Sequence, residues 1–207
     1  MPTRLRVLLA ALVLSLAPAA ARAGDEAGAL DAGATYVTGR VGAFLLTARG
    51  VSGTPAGPDA EVTAGRVVLP GVALEVAGGG WRVRVAASDT TVTVLPVTLS
   101  VKLFAPMEHG FQPYAVAGGG AYWTRLAVDA TQASSAAQDE RWSGGFHAGL
   151  GALHRLGERL VVGVDFRYVL LEARGTFAGT ALSAGGAAPN GARLDGVRLT
   201  ASAGMAF

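Results

Sequence analysis

Residues 195–207 read DGVRLTASAGMAF. Apolar side chains occupy every odd position from Val197 to Phe207, and small or polar ones occupy the even positions, including Arg198 and Thr200. This period of two predicts a β-strand whose two faces meet different surroundings. One face suits lipid and the other suits a crowded interior, which is typical of a strand in a transmembrane β-barrel.

Similar alternation upstream brings the predicted number of strands to eight. Leu160–Leu171 is the clearest case, because its apolar positions oppose Asp165 and Arg167. The predicted fold class is all-β, an eight-stranded antiparallel up-and-down transmembrane β-barrel. The predicted strands cover residues 35–49, 71–77, 81–87, 91–104, 112–126, 143–156, 160–171 and 195–207.

The connections between these strands alternate in length, as bacterial barrels with short periplasmic turns and longer outer loops require. Gly78-Gly79-Gly80 is predicted to form a tight periplasmic turn. The second outer connection is the one that is unexpectedly short. The predicted outer connections are 50–69, 88–91, 128–142 and 174–193, and the periplasmic ones are 78–80, 105–111 and 157–159.

Composition agrees with a barrel. Hydrophobic residues make up 51% of the chain and charged residues 15%, whereas soluble domains carry about 25% charged residues. After Ala23 no apolar run approaches the length of a spanning helix. Closed barrels are the other structure that satisfies every backbone group in lipid. The chain has no cysteine, and hence no disulfide.

The N-terminus predicts export. Arg4 and Arg6 precede the apolar run Val7–Leu16, and small residues follow up to a predicted cleavage site after Ala23. We expect residues 1–23 to be a signal peptide, residues 24–207 to be the barrel domain, and the protein to reside in the outer membrane. Of the 17 Lys and Arg, removal of Arg4, Arg6 and Arg22 leaves 14 against 15 Asp and Glu. A near-neutral chain of this kind does not predict nucleic-acid binding.

Charged residues on the inward positions suggest how the interior is filled. An eight-stranded barrel is just wide enough for side chains to fill it, so a salt-bridged, closed interior is favoured over a permeation path. Because basic residues outnumber acidic ones in this set, contact with an anionic ligand or lipid head group stays open. The predicted inward charges are Arg40, Glu75, Arg82, Arg84, Lys102, Arg155, Asp165, Arg167 and Arg198.

Aromatic residues are predicted to form two girdles at the membrane surfaces. Those placed near the inner ends of strands are Tyr36, Trp81, Phe104, Tyr114 and Phe207, and those toward the outer ends are Tyr122, Trp123, Trp142 and Tyr168.

Three short stretches resemble the OmpW family of small outer-membrane barrels. They are LPVT at 95–98, QPYAVAG at 112–118 and SAGMAF at 202–207. The resemblance implies an eight-stranded barrel, recognition of the C-terminal Phe207 by the barrel-assembly machinery, and passage of small hydrophobic molecules. The second outer loop, long in that family, is short in this chain.

Nothing in the sequence favours catalysis or metal binding. His109, His147 and His154 are not predicted to converge, and neither strand histidine stands in a His-x-Ser arrangement like that of lipid A deacylases. We therefore expect no enzymatic activity, no metal and no cofactor.

The expected function is that of a monomeric outer-membrane barrel in contact with lipid, either structural or a narrow conduit for small, hydrophobic molecules. One alternative is a closed barrel whose outer loops bind ligands or partners. A second is a soluble secreted barrel of lipocalin type, in which the apolar strand faces would point inward.

Overall fold

The computed structural model describes residues 30, 32–47, 55–86, 90–106, 111–128, 138–157, 159–173 and 192–207. The predicted signal peptide lies outside the described residues. The strands are β1 (Thr35–Leu46), β2 (Ala56–Leu69), β3 (Val72–Val85), β4 (Thr90–Phe104), β5 (Phe111–Val128), β6 (Gln138–Leu156), β7 (Leu160–Ala173), β8 (Ala192–Arg193) and β9 (Gly196–Ala206).

Eight long strands form a closed antiparallel barrel. Consecutive strands pair from β1 to β7, and β9 closes the circle by pairing with both β7 and β1. Within the part of the chain that the structure describes, the short β8 pairs with β7 alone. Closure leaves no sheet edge among the eight strands, which is the condition for placing a sheet in lipid. The predicted fold class is confirmed.

Two errors in the predicted strand order offset each other, so the predicted number of strands is still eight. Residues 56–69, predicted to belong to a long loop, form β2. Residues 71–77 and 81–87, predicted to be two strands, belong mainly to the single strand β3. The true turn between β2 and β3 is Pro70–Gly71, where Gly71 has a φ of 75°.

Gly78–Gly80 lies inside β3, where two of the three glycines, Gly79 and Gly80, have close neighbours on the adjoining strands. A Cβ on Gly79 would come within 2.3 Å of the backbone oxygen of Ala60 on β2. On its other edge, β3 pairs with β4 in the same register before and after the triplet, which faces the part of β4 around Pro96. The strand therefore continues through the triplet. Gly79 and Gly80 therefore permit close approach of neighbouring strands, and the triplet does not reverse the chain.

The connections at the two ends of the barrel differ in length. Those at one end are residues 70–71, 105–110 and 157–159, and those at the other are 47–55, 86–89, 129–137 and 174–195. Since short turns face the periplasm in bacterial barrels, the first end is periplasmic. The start of β1 and Phe207 lie at that end.

The two faces of the barrel wall have opposite character. Outward side chains form an exposed apolar surface, with Val41 at 65% and Phe146 at 71% exposure. The inward side chains form three layers. The periplasmic apolar layer consists of Leu30, Tyr36, Val67, Ala73, Phe104, Tyr114, Val116, Leu153, Val161 and Ala206. The extracellular apolar layer consists of Phe44, Leu46, Trp81, Val83, Val85, Val92, Val94, Tyr122, Leu126, Val169, Leu171 and Leu194.

Candidate functional site

Between the two apolar layers lies a charged layer, built by six strands. Its eight side chains are all buried, with at most 6% of each residue exposed. Four are cations and four are anions, so the layer is electrically balanced. The cations are Arg40, Lys102, Arg167 and Arg198, and the anions are Asp59, Glu61, Glu75 and Asp165.

Arg198 forms one end of this layer. Its Nε lies 2.6 Å from Oδ2 of Asp59 and its Nη2 lies 2.9 Å from Oδ1, a bidentate pair. Its Nη1 donates to Oε2 of Glu61 at 2.8 Å. The guanidinium thus reaches from β9 across β1 to β2.

Glu75 is the centre of the layer. Its carboxylate lies 2.9 Å from Nη2 of Arg40, 2.7 Å from Nζ of Lys102 and 3.7 Å from Nη2 of Arg167. The hydroxyl of Tyr36 donates to the same carboxylate at 3.0 Å. One anion therefore faces three cations.

Two more ion pairs join these groups into one network. Nη1 of Arg40 lies 2.8 Å from Oε1 of Glu61, which links the Arg198 end to Glu75. Nε of Arg167 lies 2.6 Å from Oδ1 of Asp165. All eight charged groups are thereby connected, and each cation contacts at least one carboxylate. Buried charges persist only when paired in this way, because an isolated ion loses several kcal/mol of hydration.

Tyrosines join the charged layer to the periplasmic apolar layer. The hydroxyl of Tyr114 donates to Oδ2 of Asp165 at 2.7 Å, and Nζ of Lys102 lies 4.3 Å from the centroid of the Tyr114 ring. Glycines make room for the rings. A Cβ on Gly65 would come within 2.3 Å of the Tyr36 ring, and one on Gly151 within 2.3 Å of the Tyr114 ring.

The extracellular apolar layer is closed by an aromatic stack. The rings of Phe44 and Trp81 lie parallel with centroids 3.9 Å apart. Both side chains are buried, at 0% and 2% exposure. Burial of two large rings in contact removes much apolar area from water and fills this part of the lumen.

A buried serine and histidine also meet inside the barrel. Oγ of Ser100 lies 2.9 Å from Nε2 of His147, and the hydroxyl of Tyr122 lies 3.5 Å from Nδ1. A hydrolase would place an acid at Nδ1. Across the residues described, no cluster of three or more His, Asp or Glu could hold a metal ion. His154 faces outward against the Phe111 ring, at 5.7 Å, and His109 lies outside the described residues.

Six of the nine predicted inward charges belong to the charged layer, and Arg155 is half-buried at the periplasmic end of β6. Arg82 and Arg84 were wrongly assigned, since both are exposed on the outer face of β3. The error follows from the supposed turn at Gly78–Gly80, which inverted the parity of the residues after it.

Asp59 and Glu61 were missed because residues 50–69 were predicted to be a loop. A signal was present: Asp59, Glu61, Thr63 and Gly65 alternate with Ala, Val and Ala at a period of two. These two acids take the place of the two misplaced arginines, and since Arg155 lies outside the charged layer, no excess of base remains there.

Most predicted girdle residues point into the barrel. Tyr36, Trp81, Phe104, Tyr114 and Tyr122 are all buried in the apolar layers. Their girdle assignment is wrong, because all five side chains lie on the inward face of their strands. Inward glycines make room there for the rings of Tyr36, Tyr114 and Tyr122. Trp81 also lies in the extracellular half of the barrel rather than at the inner end. Of the predicted girdle residues, those that point outward are Trp123, Trp142, Tyr168 and Phe207.

A closed antiparallel barrel with an apolar outer surface and an ion-paired interior defines a small integral outer-membrane protein. The chain belongs to the family described as "Outer membrane protein beta-barrel domain", whose model matches residues 7–207. The protein is thus an outer-membrane protein. The sequence resemblance to small barrels of the OmpW type is confirmed, and the soluble lipocalin-like alternative is wrong.

Solved structures of similar fold agree. The chain is similar to Neisserial surface protein A, with 17% identity, a TM-score of 0.60, and coverage of 84% of this chain and 99% of that one. It is similar to OprG from Pseudomonas aeruginosa, with 18% identity, a TM-score of 0.56, and coverage of 88% and 99%. It is similar to Ail of Yersinia pestis, with 11% identity, a TM-score of 0.53, and coverage of 86% and 100%. No curated protein sequence matches the chain.

Proposed function

We propose that the protein is a closed, non-conducting and non-enzymatic barrel, which acts through its lipid-facing and extracellular surfaces rather than by passing molecules through its interior. The observation that carries this proposal is the charged layer, in which four cations and four anions connect across the lumen.

The order of the three layers opposes passage of either kind of solute. An apolar molecule entering from outside would meet the charged layer and would have to separate ion pairs such as Arg198–Asp59 and Arg40–Glu75. A charged solute would first have to cross the extracellular apolar layer, where Phe44 and Trp81 stack. Each route has a large desolvation cost.

The buried Ser100–His147 contact supports a non-enzymatic role. Ser100 is 1% exposed and His147 is 5% exposed, and both lie within the filled interior. A substrate from outside would have to displace the extracellular apolar layer, whose Tyr122 contacts His147, to reach them. The hydroxyl of Tyr122 faces the nitrogen at which a catalytic triad would place a carboxylate.

The C-terminal strand supports recognition by the barrel-assembly machinery. Phe207 is 68% exposed at the periplasmic end, and its backbone exchanges hydrogen bonds with Thr35 at 2.8 and 3.1 Å. The ring is free for recognition while the backbone closes the barrel. Removing Phe207 should lower the amount of folded barrel in outer membranes, measured as the band that changes mobility between unboiled and boiled samples. An unchanged amount would contradict this role.

Planar-bilayer conductance tests the closed lumen. Mature protein, refolded and shown to shift in mobility between unboiled and boiled samples, should give no conductance steps. A matched variant, Asp59→Ala with Arg198→Ala, keeps the charge balance while removing the side chains that join β9 to β2, and we expect brief steps from it. Regular steps from the wild-type barrel would overturn the proposal.

A further inference from the structure

Each apolar layer contains one leucine that the barrel wall does not carry. Of the described members of the periplasmic layer, Leu30 alone precedes β1, and the others lie in the eight long strands. Of the described members of the extracellular layer, Leu194 alone lies outside the strands, between β8 and β9. Leu30 is 8% exposed and Leu194 is 0% exposed. Both layers are therefore completed by chain that is not part of the wall.

The inward residues at the ends of the strands are buried at both mouths of the barrel. At the periplasmic mouth, Phe104 and Ala206 are the last residues of β4 and β9, and they are 1% and 6% exposed. At the extracellular mouth, Leu46 and Val85 are the last residues of β1 and β3, and they are 0% and 3% exposed. A barrel wall is open at its two ends, so inward residues there face water unless other chain covers them.

The segment before β1 covers the periplasmic mouth. The backbone nitrogen of Gly33 donates to the carbonyl oxygen of Val67 on β2 at 2.8 Å, and the nitrogen of Val67 donates to the carbonyl oxygen of Ala34 at 2.9 Å. Gly33 has a φ of 95°, which L side chains rarely adopt. The chain can therefore turn at Gly33 and bring Leu30 into the periplasmic layer. We call Leu30, Ala32, Gly33 and Ala34 the periplasmic cap.

The segment before β9 covers the extracellular mouth. The backbone nitrogen of Leu194 donates to the carbonyl oxygen of Leu171 at 2.9 Å, and the nitrogen of Leu171 donates to Oδ1 of Asp195 at 3.2 Å. The carbonyl oxygen of Asp195 accepts from the backbone nitrogen of Thr47 at 2.8 Å and from its hydroxyl at 3.1 Å. We call Leu194 and Asp195 the extracellular cap. It is joined to both strands that flank β9, namely β7 and β1.

We propose that the two caps are separate closures, each of which seals one mouth of the barrel through one leucine and can open without the other. The periplasmic cap is bound to β2, whereas the extracellular cap is bound to β7 and β1. The charged layer lies between the two apolar layers, so the loss of one leucine should admit water only as far as that layer. This inference deepens the closed-barrel function proposed above and rests on it.

Single cysteines can report on each mouth, because the chain has no cysteine of its own. Ala73→Cys lies in the periplasmic layer and Val83→Cys in the extracellular layer, and both native side chains are 0% exposed. In the refolded mature barrel, neither thiol should react with a charged methanethiosulfonate reagent. Adding Leu30→Ala should raise the labelling rate of Ala73→Cys about ten-fold and leave Val83→Cys protected, since a buried leucine stabilises its local closed state by at least that factor. Adding Leu194→Ala should do the reverse.

Leu156→Ala is the matched control. Leu156 also lies at the periplasmic end, as the last residue of β6, but it is 45% exposed on the outer wall. We expect its loss to leave both labelling rates unchanged. If an alanine variant of either cap shows no mobility shift between unboiled and boiled samples, valine at the same position takes its place, and a smaller rise at the same reporter is expected.

An unchanged labelling rate in either cap variant, or a rise at both reporters from one variant, would overturn the proposal of separate caps. Ser100→Cys, beside the charged layer, distinguishes this failure from that of the closed barrel itself. It should stay protected with either leucine replaced. Labelling of Ser100→Cys while both leucines are intact would overturn the closed-barrel function instead.

Discussion

Arg198 and Arg125 show how differently one side chain behaves inside and outside this barrel. Arg198, with 7% of its side chain exposed, touches two carboxylates at 2.6 and 2.8 Å. Arg125, at 41% exposure, touches one carboxylate at 3.5 Å. Inside, the protein must supply the whole counter-charge, whereas outside, water and lipid head groups share that task. The same ion-pair chemistry should therefore be essential in the lumen and nearly dispensable on the surface.

Glu75→Gln should give the largest effect. Three cations face Glu75, and neutralising it leaves positive charge buried without compensation. We expect the free energy of unfolding to fall by about 3–5 kcal/mol. Urea titration in detergent, with the folded fraction read from the mobility of unboiled samples, measures the change. A loss below about 1 kcal/mol would show that water already reaches the charged layer.

Tyr114→Phe should come next. It removes the hydroxyl that donates to Asp165 at 2.7 Å, and a hydrogen bond to a charged group contributes about 1.5–3 kcal/mol. Tyr168→Phe on the outward face of β7 is the control, with an expected change within about 0.5 kcal/mol. If both variants lowered the free energy of unfolding equally in the same urea titration, the buried hydroxyl of Tyr114 would stabilise the barrel no more than the outward hydroxyl of Tyr168. That result would contradict the role given to the charged layer.

Gly65→Ala should have an effect of similar or smaller size. Its new Cβ would press on the Tyr36 ring, and overpacking of this kind costs about 1–3 kcal/mol. Gly78→Ala is the matched control in the next strand, because a Cβ there meets no atom within 4 Å. Should the two variants unfold at the same urea concentration, glycine would not be making room for the ring.

Glu140→Gln should give the smallest effect. It removes the surface partner of Arg125, and exposed ion pairs contribute about 0–1 kcal/mol. The difference from wild type should shrink further in high salt. An effect as large as that of Glu75→Gln would abolish the distinction between lumen and surface.

The sequence predicts the wall of the barrel best where large apolar residues alternate with charges, as in β7 and β9. It fails at β2, whose outward positions include Ala60 and Ala64 and whose inward ones include Asp59 and Glu61. Small outward and acidic inward residues resemble a solvated loop in a local window. Gly78–Gly80 resembles a turn in a local window. The local sequence does not show that the β2 backbone approaches Gly79, because that contact arises only when the two strands pair.

The pairing inside the lumen also lies beyond local patterns. Parity identifies Arg198 as inward, but not that it crosses β1 to reach Asp59 on β2. That contact depends on the stagger of the strands, which closure of the whole barrel sets. One parity error then moved Arg82 and Arg84 from the lipid surface to the interior.

Thiol labelling of the lumen tests the central claim most directly, because the chain has no cysteine of its own. Ser100→Cys would place a thiol at a position that is 1% exposed beside the charged layer, and Thr47→Cys would place one at the exposed end of β1. With a charged methanethiosulfonate reagent, Thr47→Cys should react in the folded barrel and Ser100→Cys only after unfolding. Reaction of both at comparable rates in the folded barrel would show a water-filled lumen and contradict the closed interior.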